Sequence, residues 1–144
     1  VTVVPRVDLK QGPANARAVA TLIAQGLVAS AHDCSDGGLL VAAAEMAFAG
    51  GVGLDLDLAG LPASRELDEW AACFAETPSR YLLEVSPTHV DAVVRSLRKA
   101  NVPFGQVGRF VAHDRLKVRS PRRGQVVDVA LEELRRTWLM PLDW

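Results

Sequence analysis

The chain has 144 residues, of which 49% are apolar and 23% charged, enough for one domain with a core of its own. Sixteen basic and seventeen acidic residues leave a formal charge of −1, so the overall balance gives no electrostatic case for nucleic acid or for a membrane surface. No run approaches the roughly 18 apolar residues of a spanning helix, and Val1-Thr2-Val3-Val4-Pro5-Arg6 lacks the make-up of a secretory signal. The expectation is a cytoplasmic protein with no nucleic-acid and no membrane partner.

In chain order, residues 1–12 read as an extended lead-in, with Pro5 and Gly12-Pro13 as punctuation. Pro13 suits a first helical turn, and Ala16, Val19, Ala20, Leu22, Ile23 and Leu27 recur at helical spacing to about Gln25. Gly26 to Ala31 reads as a short buried strand. Leu39 to Ala49 is an apolar helix ending at Gly50-Gly51, with Glu45 as its one charge, expected to face solvent, a basic partner elsewhere being the alternative. Val52 to Leu58 alternates apolar and polar, which predicts a strand whose wet face carries Asp55 and Asp57, read as solvated, with a bound cation as the alternative.

After Pro62 a helix is expected from about Ser64, with Leu67, Trp70, Ala71 and Phe74 on its inner side. A Pro78-broken turn, where Arg80 beside Glu76 is expected to form a surface ion pair, with an anion or partner contact as the alternative, leads to a strand at Tyr81 to Val85. Pro87 opens a helix to Ala100 with Val90, Val93, Val94 and Leu97 inward and basic residues at its C-terminal end. Short strands follow at Gly105 to Val111, Arg115 to Arg119 and Val126 to Val129, then a helix from Leu131 to about Trp138, which points Trp138 toward Pro141 and Trp144. The basic residues between Arg115 and Arg123 read as a solvated hairpin, with a phosphate or an acidic partner domain as the alternative. The pattern predicts one α+β domain over 1–144, layered α/β with a mixed sheet and flanking helices.

Chemistry concentrates in His32-Asp33-Cys34-Ser35-Asp36-Gly37-Gly38-Leu39, a strand-to-helix junction. Amides at a helix's positive end, bared by Gly37 and Gly38, suit a phosphate, and Ser35 adds a hydroxyl. Asp33 and Asp36 supply the oxygen ligands Mg²⁺ takes beside water and phosphate. The competing reading is that Ser35 and the aspartates only cap the helix and that Gly-Gly only allows close packing. Cys34 reads as a small buried hydrophobe and His32 as a packed or hydrogen-bonded ring. With Cys73, Cys34 points to thiols in a reducing compartment, a disulfide between them being the alternative. The start at Val1 rather than Met suggests a piece of a longer chain, although processing would look the same.

The same run, with Ala44-Glu45-Met46-Ala47-Phe48-Ala49-Gly50-Gly51, closely resembles the phosphoribosylformylglycinamidine synthases, and more narrowly the C-terminal domain of the AIR synthase-related superfamily. Pro5-Arg6-Val7-Asp8-Leu9, Ala75-Glu76-Thr77-Pro78-Ser79-Arg80-Tyr81 and the closing helix with Trp138 extend the likeness over nearly the whole chain. The resemblance implies a purine-biosynthesis ligase that converts formylglycinamide ribonucleotide to the amidine, using ATP and glutamine-derived ammonia. It implies Mg²⁺ and ATP or ADP as cofactors, with residues at the positions of Asp33 and Ser35 touching metal and nucleotide. It also implies other synthetase domains and a glutaminase subunit or domain as partners.

Where the family's first C-terminal copy carries a Glu-Ser-Gln substrate stretch, this chain has Glu76-Thr77-Pro78. It therefore resembles the second copy, whose nucleotide site is auxiliary. The assigned positions are Asp33 and Asp36 for metal and Ser35, Gly37 and Gly38 for nucleotide, with no catalytic residue. The isolated domain is expected to be inactive and to self-associate through an uncovered apolar face. The alternatives are a thiamine-monophosphate kinase-like domain, which shares an Asp-x-Ser-Asp-Gly junction, and a structural module that binds nothing.

Overall fold

The computed structural model describes residues 7–62 and 68–142. They fall into two compact units, one within Val1–Ala42 and Cys73–Phe104 and the other within Ala43–Ala72 and Gly105–Trp144. The helices are α1 (Gln11–Ala24), α2 (Gly38–Gly50), α3 (Glu69–Phe74), α4 (Val90–Lys99) and α5 (Leu131–Leu139); the strands are β1 (Ser30–Asp33), β2 (Gly53–Asp57), β3 (Tyr81–Glu84), β4 (Gly108–Val111), β5 (Arg115–Ser120) and β6 (Gly124–Ala130). The class is the expected α+β with a mixed sheet.

The first unit joins α1 and α4 to an antiparallel ribbon of β1 and β3, in which Asp33 faces Tyr81 and Ser30 faces Glu84. Ala18 and Leu22 of α1 and Val93 and Leu97 of α4 form its buried cluster, with Leu27, Val28, Leu83, Val85, Val102 and Phe104 packed around it. The lead-in is shorter than expected, because Asp8 Oδ1 accepts the N–H groups of Lys10 and Gln11 at 2.8 Å and starts α1 at Gln11.

Gly26 to Ala31 is not a buried strand. Gly26 takes φ +69°, its N–H donates to the Ile23 carbonyl and that of Leu27 to the Leu22 carbonyl, which closes α1 with a glycine turn. Leu27 and Val28 are apolar because they pack on the helix cluster, and β1 begins only at Ser30, mostly exposed. The periodicity of a short apolar run does not tell these outcomes apart.

In the second unit a four-stranded sheet has the order β4-β2-β5-β6, with β2 and β5 parallel and the other pairs antiparallel. Register puts Leu54 beside Leu116 and Leu56 beside Val118 on one buried face, and Asp55 beside Lys117 and Asp57 beside Arg119 on the other. The alternation of β2 is thus real. Glu45 does not simply face solvent: its Oε1 accepts the Trp138 indole N–H at 2.9 Å, and the Trp138 ring lies 5.7 Å from that of Phe48.

α3 also differs from expectation. Ser64 and Leu67 lie outside the described residues; of the remainder, α3 buries Glu69, Ala72 and Cys73 and leaves Trp70 and Phe74 about half exposed. The inner face is set by Glu69, whose Oε1 accepts the Ser120 hydroxyl at 2.8 Å in a buried contact. A carboxylate at the first helical turn with a hydroxyl partner can be buried where apolar spacing alone predicts an exposed charge. Cys34 and Cys73 are both buried thiols rather than a disulfide. Among the described residues no helix is long and apolar enough to cross a membrane.

Candidate functional site

The β1 ladder continues into the junction through the Cys34 N–H, which donates to the Arg80 carbonyl at 3.0 Å. The chain then turns through Ser35, Asp36 and Gly37 and enters α2 at Gly38. Opposite the turn, the loop before β3 is fixed by Arg80, which donates to the Ala75 carbonyl at 2.9 Å, and by Asn15 of α1, which donates to the Ser79 carbonyl at 3.0 Å. The side chain of Arg80 thus holds its own loop rather than forming the expected surface pair with Glu76. Ser79 takes φ +63°, uncommon for a residue with a Cβ.

Between the turn and the loop is an open recess of about 370 Å³, lined by Asp33, Cys34, Ser35 and Asp36 on one side and Glu76 and Pro78 to Tyr81 on the other. Of the five residues assigned from the sequence, Asp33, Ser35 and Asp36 line it and are exposed. Three carboxylates against the single cation Arg80 make it acidic. A bare polyphosphate would be repelled here, whereas one carrying Mg²⁺ would be drawn in.

Ser35 donates its hydroxyl to Asp33, and that bond, followed by one to the backbone, holds the Asp33 carboxyl below its ordinary range. Asp33 is therefore an anion at any physiological pH. His32 Nδ1 donates to the Asp33 carbonyl at 2.7 Å, which fixes the proton on that nitrogen, since a carbonyl only accepts. Burial pushes the Cys34 thiol up, which favours its protonated form. Among the described residues no three His, Cys, Asp or Glu side chains converge as a metal cage. The donor set fits a hard cation that brings water and phosphate oxygens of its own and not a fully enclosed ion.

The two glycines are not bare. Gly38 is buried, its φ is +65°, and a Cβ there would lie 2.8 Å from the Ala75 carbonyl oxygen and from the Phe74 carbonyl carbon. Its N–H donates to the Ser35 carbonyl at 3.0 Å. The Gly37 N–H donates to Glu76 Oε1 at 2.9 Å. Both readings of the junction are thus visible at once: the glycines serve the chain's own packing and hydrogen bonds, and the acidic side chains face open space. Sequence reading missed Glu76 as a member of this site. Its only local signal is the proline-broken turn before a strand, which says nothing of a partner 39 residues away.

This chain is thus an α+β module with an acid-lined strand–turn–helix junction. It belongs to the family of AIR synthase related proteins, C-terminal domain, whose family model matches residues 2–120. The phosphoribosylformylglycinamidine synthase subunit PurL of Moorella thermoacetica is 38% identical over 134 residues, covering 93% of this chain and 17% of that protein. The PurL subunit of Deinococcus radiodurans is 37% identical over 139 residues, 96% of this chain and 18% of that protein. The solved structure of T. maritima PurL complexed with ATP superposes with a TM-score of 0.76 at 24% identity, covering 84% of this chain and 21% of that one. The chain therefore spans less than a fifth of the curated relatives it matches.

Proposed function

We propose that residues 1–144 form one AIR synthase-type C-terminal domain of a phosphoribosylformylglycinamidine synthase. In the whole protein, ATP drives conversion of formylglycinamide ribonucleotide to the amidine with glutamine-derived ammonia, in the cytoplasm, with a glutaminase subunit or domain as partner. The length of the PurL relatives supports a piece of a larger enzyme. Alone, this domain has no activity and self-associates.

Within that enzyme the junction supplies part of an auxiliary Mg²⁺–nucleotide site. Asp33 and Asp36 bear on the metal and Ser35 on the phosphates, and the Gly37 amide, at the Gly37–Gly38 turn, joins them when a phosphate displaces Glu76. The observation that carries this reading is the acidic recess before the turn, open to solvent and flanked by Glu76. What Mg²⁺ supplies when bound is charge neutralisation between phosphate and carboxylate oxygens. The chain's own part is to hold Asp33 ionised through Ser35 and to keep the recess walls in place through Asn15 and Arg80.

Calorimetric titration of the full-length synthetase with ADP, with and without Mg²⁺, tests it. Wild type should bind ADP at this site only with the metal, and Asp33→Ala should lower the stoichiometry or weaken that binding. Unchanged stoichiometry and affinity in the variant would reduce the junction to a cap.

A further inference from the structure

Two described residues other than glycine take a left-handed backbone, Ser79 at φ +63° and Asn101 at φ +52°. Asn101 follows α4, where the Val102 N–H donates to the Leu97 carbonyl at 3.0 Å, and asparagine is at home in that conformation at a helix's C-terminal turn. Ser79 closes no helix. It stands in the turn Pro78–Ser79, at a left-handed position that glycine or asparagine ordinarily fills, and it lines the recess opposite Asp33 and Asp36. A backbone of this kind persists where its surroundings hold it.

The start of α1 supplies the hold. Asn15 Nδ2 donates to the Ser79 carbonyl at 3.0 Å across 64 residues of sequence, and Gln11 Nε2, one helical turn back, donates to Asn15 Oδ1 at 2.7 Å. The second bond orients the first, because an amide whose oxygen is taken by Gln11 is left with its nitrogen to face a carbonyl. Gly12 of the same turn is buried, and a Cβ there would lie 2.8 Å from Ser79 Oγ, so any side chain would push the Ser79 hydroxyl aside. Beyond Ser79, the Arg80 carbonyl accepts the Cys34 N–H at 3.0 Å, which ties the turn to the residue after Asp33. All of these residues belong to the first unit.

We propose that Asn15, oriented by Gln11, is a positioning residue for the recess. It holds Ser79 in the left-handed turn and so fixes the wall of residues 76–81 against Asp33 and Asp36, without touching what binds between them. What the recess binds rests on the Mg²⁺–nucleotide reading; the clamp rests on the hydrogen bonds alone. Released from Asn15, Ser79 would relax toward the negative φ that a residue with a Cβ prefers. The Arg80 carbonyl and the Glu76 carboxylate, which meet the Cys34 and Gly37 amides, would shift with it.

The test uses the full-length protein and two readouts. The first is hydrogen–deuterium exchange without ligand. Asn15→Asp keeps the size of the side chain but turns a carboxylate on the Ser79 carbonyl, and should speed exchange in peptides covering 76–85 by about two- to tenfold, the scale of one hydrogen bond. Peptides of the α1–α4 cluster should exchange as in wild type. The second readout is titration with MgADP, which should bind the variant up to about tenfold more weakly with unchanged stoichiometry. Gln11→Ala should act in the same direction, and combining it with Asn15→Ala should do no more than Asn15→Ala alone, since Gln11 acts through Asn15. Ser79→Gly in the Asn15→Ala background should bring both readouts back toward wild type, because glycine takes the turn without being held; damage to α1 itself would not be mended at residue 79. Unchanged exchange over 76–85 in Asn15→Asp, no recovery with Ser79→Gly, or raised exchange with unchanged MgADP affinity would each overturn the proposal. A wild type that binds no MgADP would overturn the nucleotide reading instead, and the exchange rates would still decide the clamp.

Discussion

Glu76 Oε1 accepts the Gly37 N–H at 2.9 Å, so a carboxylate of this chain stands where the turn's amide would meet a phosphate oxygen. The contact is exposed, and Glu76 also lines the recess with Asp33 and Asp36. A ligand phosphate that uses this amide must first displace a like charge.

Glu76→Gln in the full-length protein should therefore tighten ADP binding and relax its Mg²⁺ requirement. The net value of one such hydrogen bond, about 0.5–1.5 kcal/mol, sets the scale at up to roughly tenfold in affinity. Titration of both proteins across Mg²⁺ concentrations measures it. Weaker binding in the variant would make Glu76 a ligand instead of a competitor.

Gly38→Ala should destabilise the chain far more than Gly26→Ala. Both glycines take positive φ, which costs a side-chain-bearing residue roughly 1–2 kcal/mol. A Cβ at Gly26 meets nothing within 4 Å, whereas at Gly38 it would strike the Phe74–Ala75 backbone at 2.8 Å. Urea unfolding of the pair separates the backbone cost from the clash. Equal losses would mean that the 73–75 segment yields.

The Glu69–Ser120 contact gives the second unit an acid-sensitive element. The Ser120 hydroxyl, then the backbone, then Arg123 and Arg122 hold the buried Glu69 carboxyl below its ordinary value. A depressed carboxylate contributes stability that is complete above the unfolded-state value, about 4.3, and lost as pH falls through the lower folded value. Wild-type Tm should drop on acidification below about pH 4.3, and Glu69→Gln should flatten that part of the profile. Ser120→Ala should lower Tm at neutral pH by leaving a buried carboxylate short of a partner. Parallel Tm profiles for wild type and Glu69→Gln would assign the acid sensitivity elsewhere.

Leu22 is fully buried between α1 and α4. Leu22→Ala should cost about 2–5 kcal/mol, the range for an aliphatic side chain truncated in a core. Ile23→Ala, next along the chain but half exposed, should cost far less. Denaturant unfolding of both variants is the check, and similar losses would place Ile23 in a packed interface.

The sequence by itself determined the order of elements from α1 to α5, the alternation of β2 and the turn between β5 and β6. These rest on local periods and turn residues that tertiary packing did not override. It also identified Asp33, Ser35 and Asp36 as neighbours at a helix start, because three residues in four positions share a turn whatever the fold. Only tertiary structure decided what those neighbours face. That the Gly37 amide meets Glu76, that Gly38 rests on the 73–75 backbone, and that Glu69 is buried on Ser120 are pairings across 35 to 51 residues. The row Arg109–Asp55–Lys117–Asp128 exists only through the register of four strands, and its acids take their hydrogen bonds from His113, Arg115 and Gln125, which stand outside the row. Local composition sets which groups are available; long-range geometry assigns their hydrogen bonds, and the chemistry follows the assignment.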